Sequence, residues 1–161
     1  TGKPITITDP TMTRFMMSLK DSVSLVLHAF NHGQNGDIFV QKSPSSTLKT
    51  LVKAIVAILK RDNHPTEIIG IRHGEKLYET LLSSEEISVA KDMSNYFRVP
   101  ADSRDLNYAE YFEKGELRNK SEFSQFGYNS SNTNILNTQS MIDLLLKENI
   151  IDDIIKSKKS D

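Results

Sequence analysis

Apolar and polar positions alternate through "PITITD" (residues 4–9), and the β-branched residues there predict a short strand that ends at Asp9-Pro10. The pattern then changes period. In "SLKDSVSLVLHAFNHG" (18–33), Leu19, Val23, Val26, Leu27 and Phe30 recur at helical spacings, and Gly33 is a suitable stop. "GDIFVQ" (36–41) predicts a strand. "SSTLKTLVKAIVAILKR" (45–61) is the best helix in the chain, with Ser or Thr available as N-cap and Lys60-Arg61 in the last turn. "TEIIGI" (66–71) reads as a buried strand on composition, "SSEEISVAKDM" (83–93) as a short helix opened by serine and two early carboxylates, and "YFRV" (96–99) as a short strand. Residues 119–138 are rich in Asn, Ser and Gln, the composition of a loop or linker. A last amphipathic helix is expected over "SMIDLLLKENIIDDIIK" (140–156), interrupted near Asn149 and followed by a frayed "SKKSD". Strand, helix, strand, helix, strand and a mixed remainder make an α/β pattern.

Composition narrows the function classes. At 161 residues the chain can enclose one ordinary core, and 37% hydrophobic with 25% charged residues argues against a fully disordered chain. Twenty basic and twenty-one acidic side chains nearly cancel. This speaks against nucleic acid or an anionic membrane as the main partner, since both call for a basic surplus. A local phosphate site built from one or two arginines stays open. The chain has no cysteine, so disulfides, zinc-thiolate sites and a cysteine nucleophile are ruled out, which suits a reducing cytoplasm. No apolar run is long enough to span a bilayer, and no signal-peptide pattern opens the chain. The first residue is Thr1 rather than methionine, so the sequence reads as a fragment, a processed product or an engineered piece.

Candidate chemistry concentrates in "IIGIRHGEKLYETLLS" (68–83), where an apolar run gives way to Arg72, Gly74, Glu75 and Lys76. Arginine offers a planar, permanently charged fork of donors suited to diphosphate oxygens. Gly74 permits a positive φ or close approach of the backbone to a ligand. Glu75 can accept from sugar hydroxyls or hold Arg72 in one rotamer. A surface turn with an exposed Arg72–Glu75 ion pair is the competing reading.

"GIRHGEKLYETL", with "MTRFMMSL" near the start and "SNYFRVPADSRDLNY" further on, resembles the C-terminal half of bacterial CapD/CapE-like polysaccharide-biosynthesis enzymes. These are nucleotide-sugar 4-epimerases and inverting 4,6-dehydratases of the extended short-chain dehydrogenase/reductase family. The resemblance runs over roughly residues 4–116, and three separated motifs in the right order make it specific. It implies an α/β fold in which this chain is the C-terminal substrate-binding subdomain, with "GDIFVQ" as a strand that would normally complete the Rossmann sheet and here lacks its neighbours. It implies that Arg72 and Glu75 bind the nucleotide part of a UDP-sugar, and the Thr-Arg-Phe of the same family makes Arg14 a further substrate-binding candidate. The implied whole-enzyme reaction begins with hydride transfer from C4 of a UDP-hexose to NAD or NADP. A 4-epimerase returns the hydride to the other face, whereas a 4,6-dehydratase eliminates water first. The epimerase, in capsule or O-antigen synthesis, is the preferred expectation, with the UDP-GlcNAc dehydratase and a non-catalytic assembly module as alternatives.

The same resemblance sets a limit. The family's cofactor turn and its Tyr-x-x-x-Lys or Met-x-x-x-Lys pair belong to an N-terminal Rossmann domain. This chain has no G-x-G-x-x-G and no tyrosine followed by lysine at that spacing. Met16 and Lys20 have the spacing, but the family places "TRFMMSLKD" downstream of its catalytic helix. No catalytic and no cofactor-binding residue is therefore assigned, and the chain alone is expected to be inactive and to bind no cofactor. His28 and His32 are four apart, yet no H-E-x-x-H or third ligand accompanies them, so no metal site is assigned either. Asn119 and Asn129 lie in N-x-S/T sequons that mean little without a secretion signal. The expected organisation is a substrate-binding region over 1–118, including an extension at 92–113 that helps subunits associate, then a loop or linker at 119–138 and a helical segment at 139–157. The expected partners are a UDP-sugar, a Rossmann half supplied in cis or trans, and further copies of the chain.

Overall fold

The computed structural model describes residues 2–61, 63–101 and 126–148. In chain order these contain β1 (Ile5–Ile7), β2 (Thr13–Phe15), α1 (Leu19–His32), β3 (Ile38–Gln41), β4 (Ser45–Thr47), α2 (Leu48–Ile58), β5 (Thr66–Ile68), β6 (Thr80–Leu82), α3 (Ser84–Val89), β7 (Lys91–Met93), β8 (Tyr96–Val99), β9 (Tyr128–Asn129) and α4 (Thr138–Lys147). The fold class is mixed α/β, as the pattern predicts.

Local chemistry explains where the helices start. Ser18 and Asp21 form a reciprocal capping box at α1, and Ser83 and Glu86 do the same at α3. Thr47 and Asn137 each accept an orphan N–H at the starts of α2 and α4. α2 and α4 pack together around Ala54, Met141 and Leu145, with Leu51, Ile55 and Ile58 closing the cluster. The second cluster lies under the three-stranded antiparallel sheet β3-β8-β7. There Val40, Phe97 and Val99 meet Leu82 of β6, Ile87 of α3 and Tyr128 of β9. By the period-2 rule the opposite face of that sheet carries Phe39, Gln41, Tyr96 and Arg98, and α1 packs on its β3 side.

Several expectations are corrected by the tertiary contacts. β3 does not lack a neighbour: all four of its residues pair antiparallel with β8, and Arg98 donates from Nε and Nη2 to the same Asp37 oxygen at 2.7 Å each. Its other edge is unpaired among the described residues. β5 is exposed rather than buried, because among the described residues its only partner is the short parallel strand β1 and nothing covers Ile68, which is 63% accessible. The helix expected over 83–93 stops at Val89. Ala90 turns to an extended conformation, and Lys91–Met93 becomes the outer strand of the β3-β8-β7 sheet. The helix expected over 45–61 gives up its first turn to β4, which pairs with β2.

Inside the segment expected as loop or linker, residues 127–130 are buried against the body. Tyr128 is buried among Phe15 and Phe97, and Asn129 and Ser130 are buried beside it. Asn129 is therefore not a surface sequon. The expected extension is described only up to residue 101, as β7 and β8; Asp102, Arg104, Asp105, Tyr108 and Asn119 lie outside the described residues, as does the helical segment beyond 148.

Candidate functional site

The segment from Ile69 to Glu79 is a loop held at both ends with an exposed turn at its middle. It leaves the β1–β5 ladder with the Ile69 N–H donating to the Ile7 carbonyl at 2.8 Å. Three residues later Arg72, His73, Gly74 and Glu75 make a tight turn closed by the Glu75 N–H donating to the Arg72 carbonyl at 3.1 Å. Gly74 sits at the third position with φ +87°, the left-handed value that a type II turn demands there. Glu75 Oε2 accepts the Arg72 backbone N–H at 3.2 Å, so the carboxylate braces the turn from inside. It does not pair with the guanidinium. Arg72 through Tyr78 are all exposed, and the Arg72 side chain has no ion-pair or hydrogen-bond partner among the described residues.

The far end of the loop is tied down more heavily. Thr13 of β2 donates its N–H to the Leu77 carbonyl at 2.9 Å. Half-buried Arg14 sends Nη2 to the Lys76 carbonyl at 3.0 Å and Nη1 to the Thr13 carbonyl at 2.7 Å, with Nε 3.7 Å from Glu79. Ser130, fully buried, closes the junction. Its hydroxyl donates to the Thr13 carbonyl at 3.1 Å and accepts the Glu79 N–H at 3.0 Å, while its own N–H donates to the Glu79 carbonyl at 2.8 Å. Thr13 Oγ1 lies 2.8 Å from Ser130 Oγ and completes the group.

The three residues singled out in the sequence are thus brought to one loop in different roles. Arg72 presents an unpaired cation, Glu75 shapes the backbone that carries it, and Arg14 grips the same loop from β2 through carbonyl oxygens. Sequence reasoning missed Thr13 and Ser130, since a serine in an Asn/Ser-rich stretch carries no signal of burial. Met16 is packed beside the α2–α4 cluster. His28 and His32 stack ring on ring instead of converging their nitrogens, and no cluster of three or more His, Asp or Glu side chains suited to a metal occurs among the described residues.

A dinucleotide needs a glycine turn between a strand and the N-terminus of a helix, so that backbone N–H groups meet the pyrophosphate. The positive-φ glycines that follow an element do not have that setting: Gly36 leads into β3, Gly70 and Gly74 precede β6, and Gly127 opens β9. Among the described residues, then, none of these glycines forms the strand–turn–helix cradle of a dinucleotide pyrophosphate. What the arrangement can do is offer a planar guanidinium on a braced, solvent-facing turn to an anionic ligand that presents two oxygens to its fork, such as a phosphate ester.

The chain is similar in sequence and in fold to known proteins. A family model described as "Polysaccharide biosynthesis protein" matches residues 1–101, and one described as "Polysaccharide biosynthesis protein C-terminal" matches residues 102–151. The chain is 51% identical over 156 residues to a protein named UDP-glucose 4-epimerase from Rickettsia canadensis (strain McKiel), covering 97% of this chain and 45% of the relative. It is 52% identical over 155 residues to one of the same name from Rickettsia felis, covering 96% and 44%. In three dimensions it is similar to the X-ray structure of Pen from Bacillus thuringiensis, with a TM-score of 0.72 and 28% identity over 90% of this chain and 40% of that one. The chain thus spans a little under half the length of these relatives. It belongs to the polysaccharide biosynthesis protein family.

Proposed function

We propose that this chain is the sugar-nucleotide-binding part of a cytoplasmic UDP-sugar 4-epimerase of polysaccharide biosynthesis, with Arg72 on the pyrophosphate and Glu75 holding the turn that presents it. The observation that carries the reading is the Arg72 guanidinium, unpaired among the described residues, on a turn fixed by Gly74 and Glu75. The name shared by relatives at 51–52% identity supports the epimerase over the 4,6-dehydratase. Arg14 takes the role of loop anchor, since its guanidinium is occupied by the carbonyls of Thr13 and Lys76.

On this reading NAD or NADP, which supplies the hydride chemistry, belongs to a companion Rossmann half, and this chain binds and orients the substrate. Two surfaces suit such a companion. Parallel strands are ordinarily covered on both faces, yet all of β5 is exposed beside β1. α1 turns Leu19, Val23, Val26, Leu27 and Phe30 to solvent, with Leu19 and Phe30 more than 80% accessible. In the absence of the companion the same surfaces favour self-association. No helix among the described residues is long and apolar enough to cross a membrane.

The test is a titration of UDP into the chain, followed by backbone amide shifts. Shifts clustered on residues 72–76 that disappear in Arg72→Ala support the reading. Saturating UDP with no shift there, or identical shifts in Arg72→Ala, rejects the clamp and favours a non-catalytic assembly module.

A further inference from the structure

α1 is held to the body in an uncommon way. Its apolar stripe points outward, and none of its residues is buried. The face turned toward the sheet presents half-buried Asp21, Ser22, Leu25, His28 and Ala29. At the centre of that contact the His28 ring stacks on Tyr96 of β8, with centroids 4.1 Å apart and planes at 21°. On its other side it stacks on His32, one turn later, at 4.2 Å and 19°. Phe39 of β3 meets it edge-on at 5.5 Å. His28 Nε2 is closed off from solvent and finds no hydrogen-bond partner among the described residues.

A neutral imidazole tolerates that setting, because one ring nitrogen carries no proton and its apolar faces are satisfied by stacking. An imidazolium does not. It would hold a desolvated charge and an N–H with nothing to receive it. Its surroundings among the described residues offer little compensation. On α1 the facing titratable groups are His32, whose Nδ1 lies 3.0 Å from the His28 carbonyl, and Asp21 at the first turn, engaged by the backbone and hydroxyl of Ser18. From β3, Phe39 and Gln41 face it, with Asp37 at the head of the strand committed to Arg98 of β8. Tyr96 and Arg98 face it from β8, and beyond them Lys91 and Met93 of β7 lie on the same sheet face. From α4, Lys147 acts on Asp21.

We propose that His28, sandwiched between Tyr96 and His32, is a proton-operated latch that keeps α1 seated on the β3-β8-β7 sheet while neutral and loosens it when protonated. Burial, and then the neighbouring His32, hold the imidazole below its ordinary value of 6.5. A base whose folded value is depressed binds protons more readily once released. The latch therefore contributes fully above the ordinary value, and the contribution is lost as the pH falls below it. The device acts on the helix that directly follows β2 and bears the outward apolar stripe, so acidification would unseat the already exposed surface proposed for the companion half.

The experiment uses the full chain and two readouts. The His28 ring resonances are titrated by NMR, and amide exchange of residues 19–32, corrected for intrinsic rates, is compared between about pH 7.5 and about pH 5.5. The expected result is His28 titrating below the ordinary value of 6.5, with protection of α1 falling on acidification while α2 keeps its own. His28→Phe should keep the stack and remove the pH dependence. His28 titrating at or above the ordinary value, α1 protection that does not change with pH, or an unchanged pH dependence in His28→Phe would each overturn the proposal. If His28→Phe does not fold, the ring titration of the natural chain decides.

Discussion

Replacing Arg14 by Met removes the cation from the loop junction while keeping most of the aliphatic stem. Its Nη2 bond to the Lys76 carbonyl, at 3.0 Å, is the main link across to the loop; the contact to Leu77 at 3.5 Å is too long to add much. A hydrogen bond from a charged donor contributes about 1.5–3 kcal/mol. The side chain is 28% exposed, so water competes and the lower end applies. The 3.7 Å contact with half-exposed Glu79 adds at most a few tenths. The sum is about 1.5 kcal/mol, or roughly tenfold in the local opening equilibrium. The amides of Thr13 and Glu79 report on it, since they donate to the Leu77 carbonyl at 2.9 Å and to Ser130 Oγ at 3.0 Å. Their exchange should quicken about tenfold in Arg14→Met, with the α2 amides around Ala54 unaffected. Arg14→Lys, which keeps the charge but not the fork, should behave in the same way. Unchanged exchange at Thr13 and Glu79 would refute the anchoring role and return Arg14 to the list of ligand contacts.

Three further outcomes follow from the same geometry. Ser130→Ala strips a fully buried hydroxyl from the Glu79 N–H and from Thr13, and should lower unfolding stability by about 1–3 kcal/mol in a urea titration. Gly70→Ala and Gly127→Ala both force a side chain into positive φ, at +80° and +68°. The first has open space around the added methyl and should cost about 1–2 kcal/mol, whereas the second drives it into the Leu82 carbonyl and should cost about 2–5 kcal/mol; equal losses would mean that the backbone, not the contact, sets the penalty. Asp37 is held below the usual 3.8, first by the Gln34 N–H and then by Arg98. Its contribution is present above that value and lost as the pH falls through the lowered one, so Asp37→Asn should flatten the acid limb of stability against pH, an effect that unfolding curves collected from neutral pH downward would show or deny.

Which parts of this protein could be read from the chain alone follows from the range of the forces involved. α1 and α2 are legible because periodicity and caps are local: Ser18 reaches only to Asp21, and Thr47 only to Thr50. The Arg72–Glu75 turn is legible for the same reason, since a glycine flanked by a cation and a carboxylate encodes its shape within four residues. A hydrophobic stripe, by contrast, states that it favours burial without stating against what. Leu19, Val23 and Phe30 form the expected helical stripe, yet the tertiary structure seats α1 through His28 and leaves that stripe to solvent. Composition made β5 a buried strand and 119–138 a loop or linker. Pairing left β5 beside β1 alone, and the fit of the Tyr128 ring between Phe15 and Phe97 drew part of the other into the core. Partner choice for β3, and the meeting of Arg14 and Ser130 at the end of the candidate loop, depend on residues far apart in sequence. Only the closed chain brings their donors and acceptors within hydrogen-bonding distance.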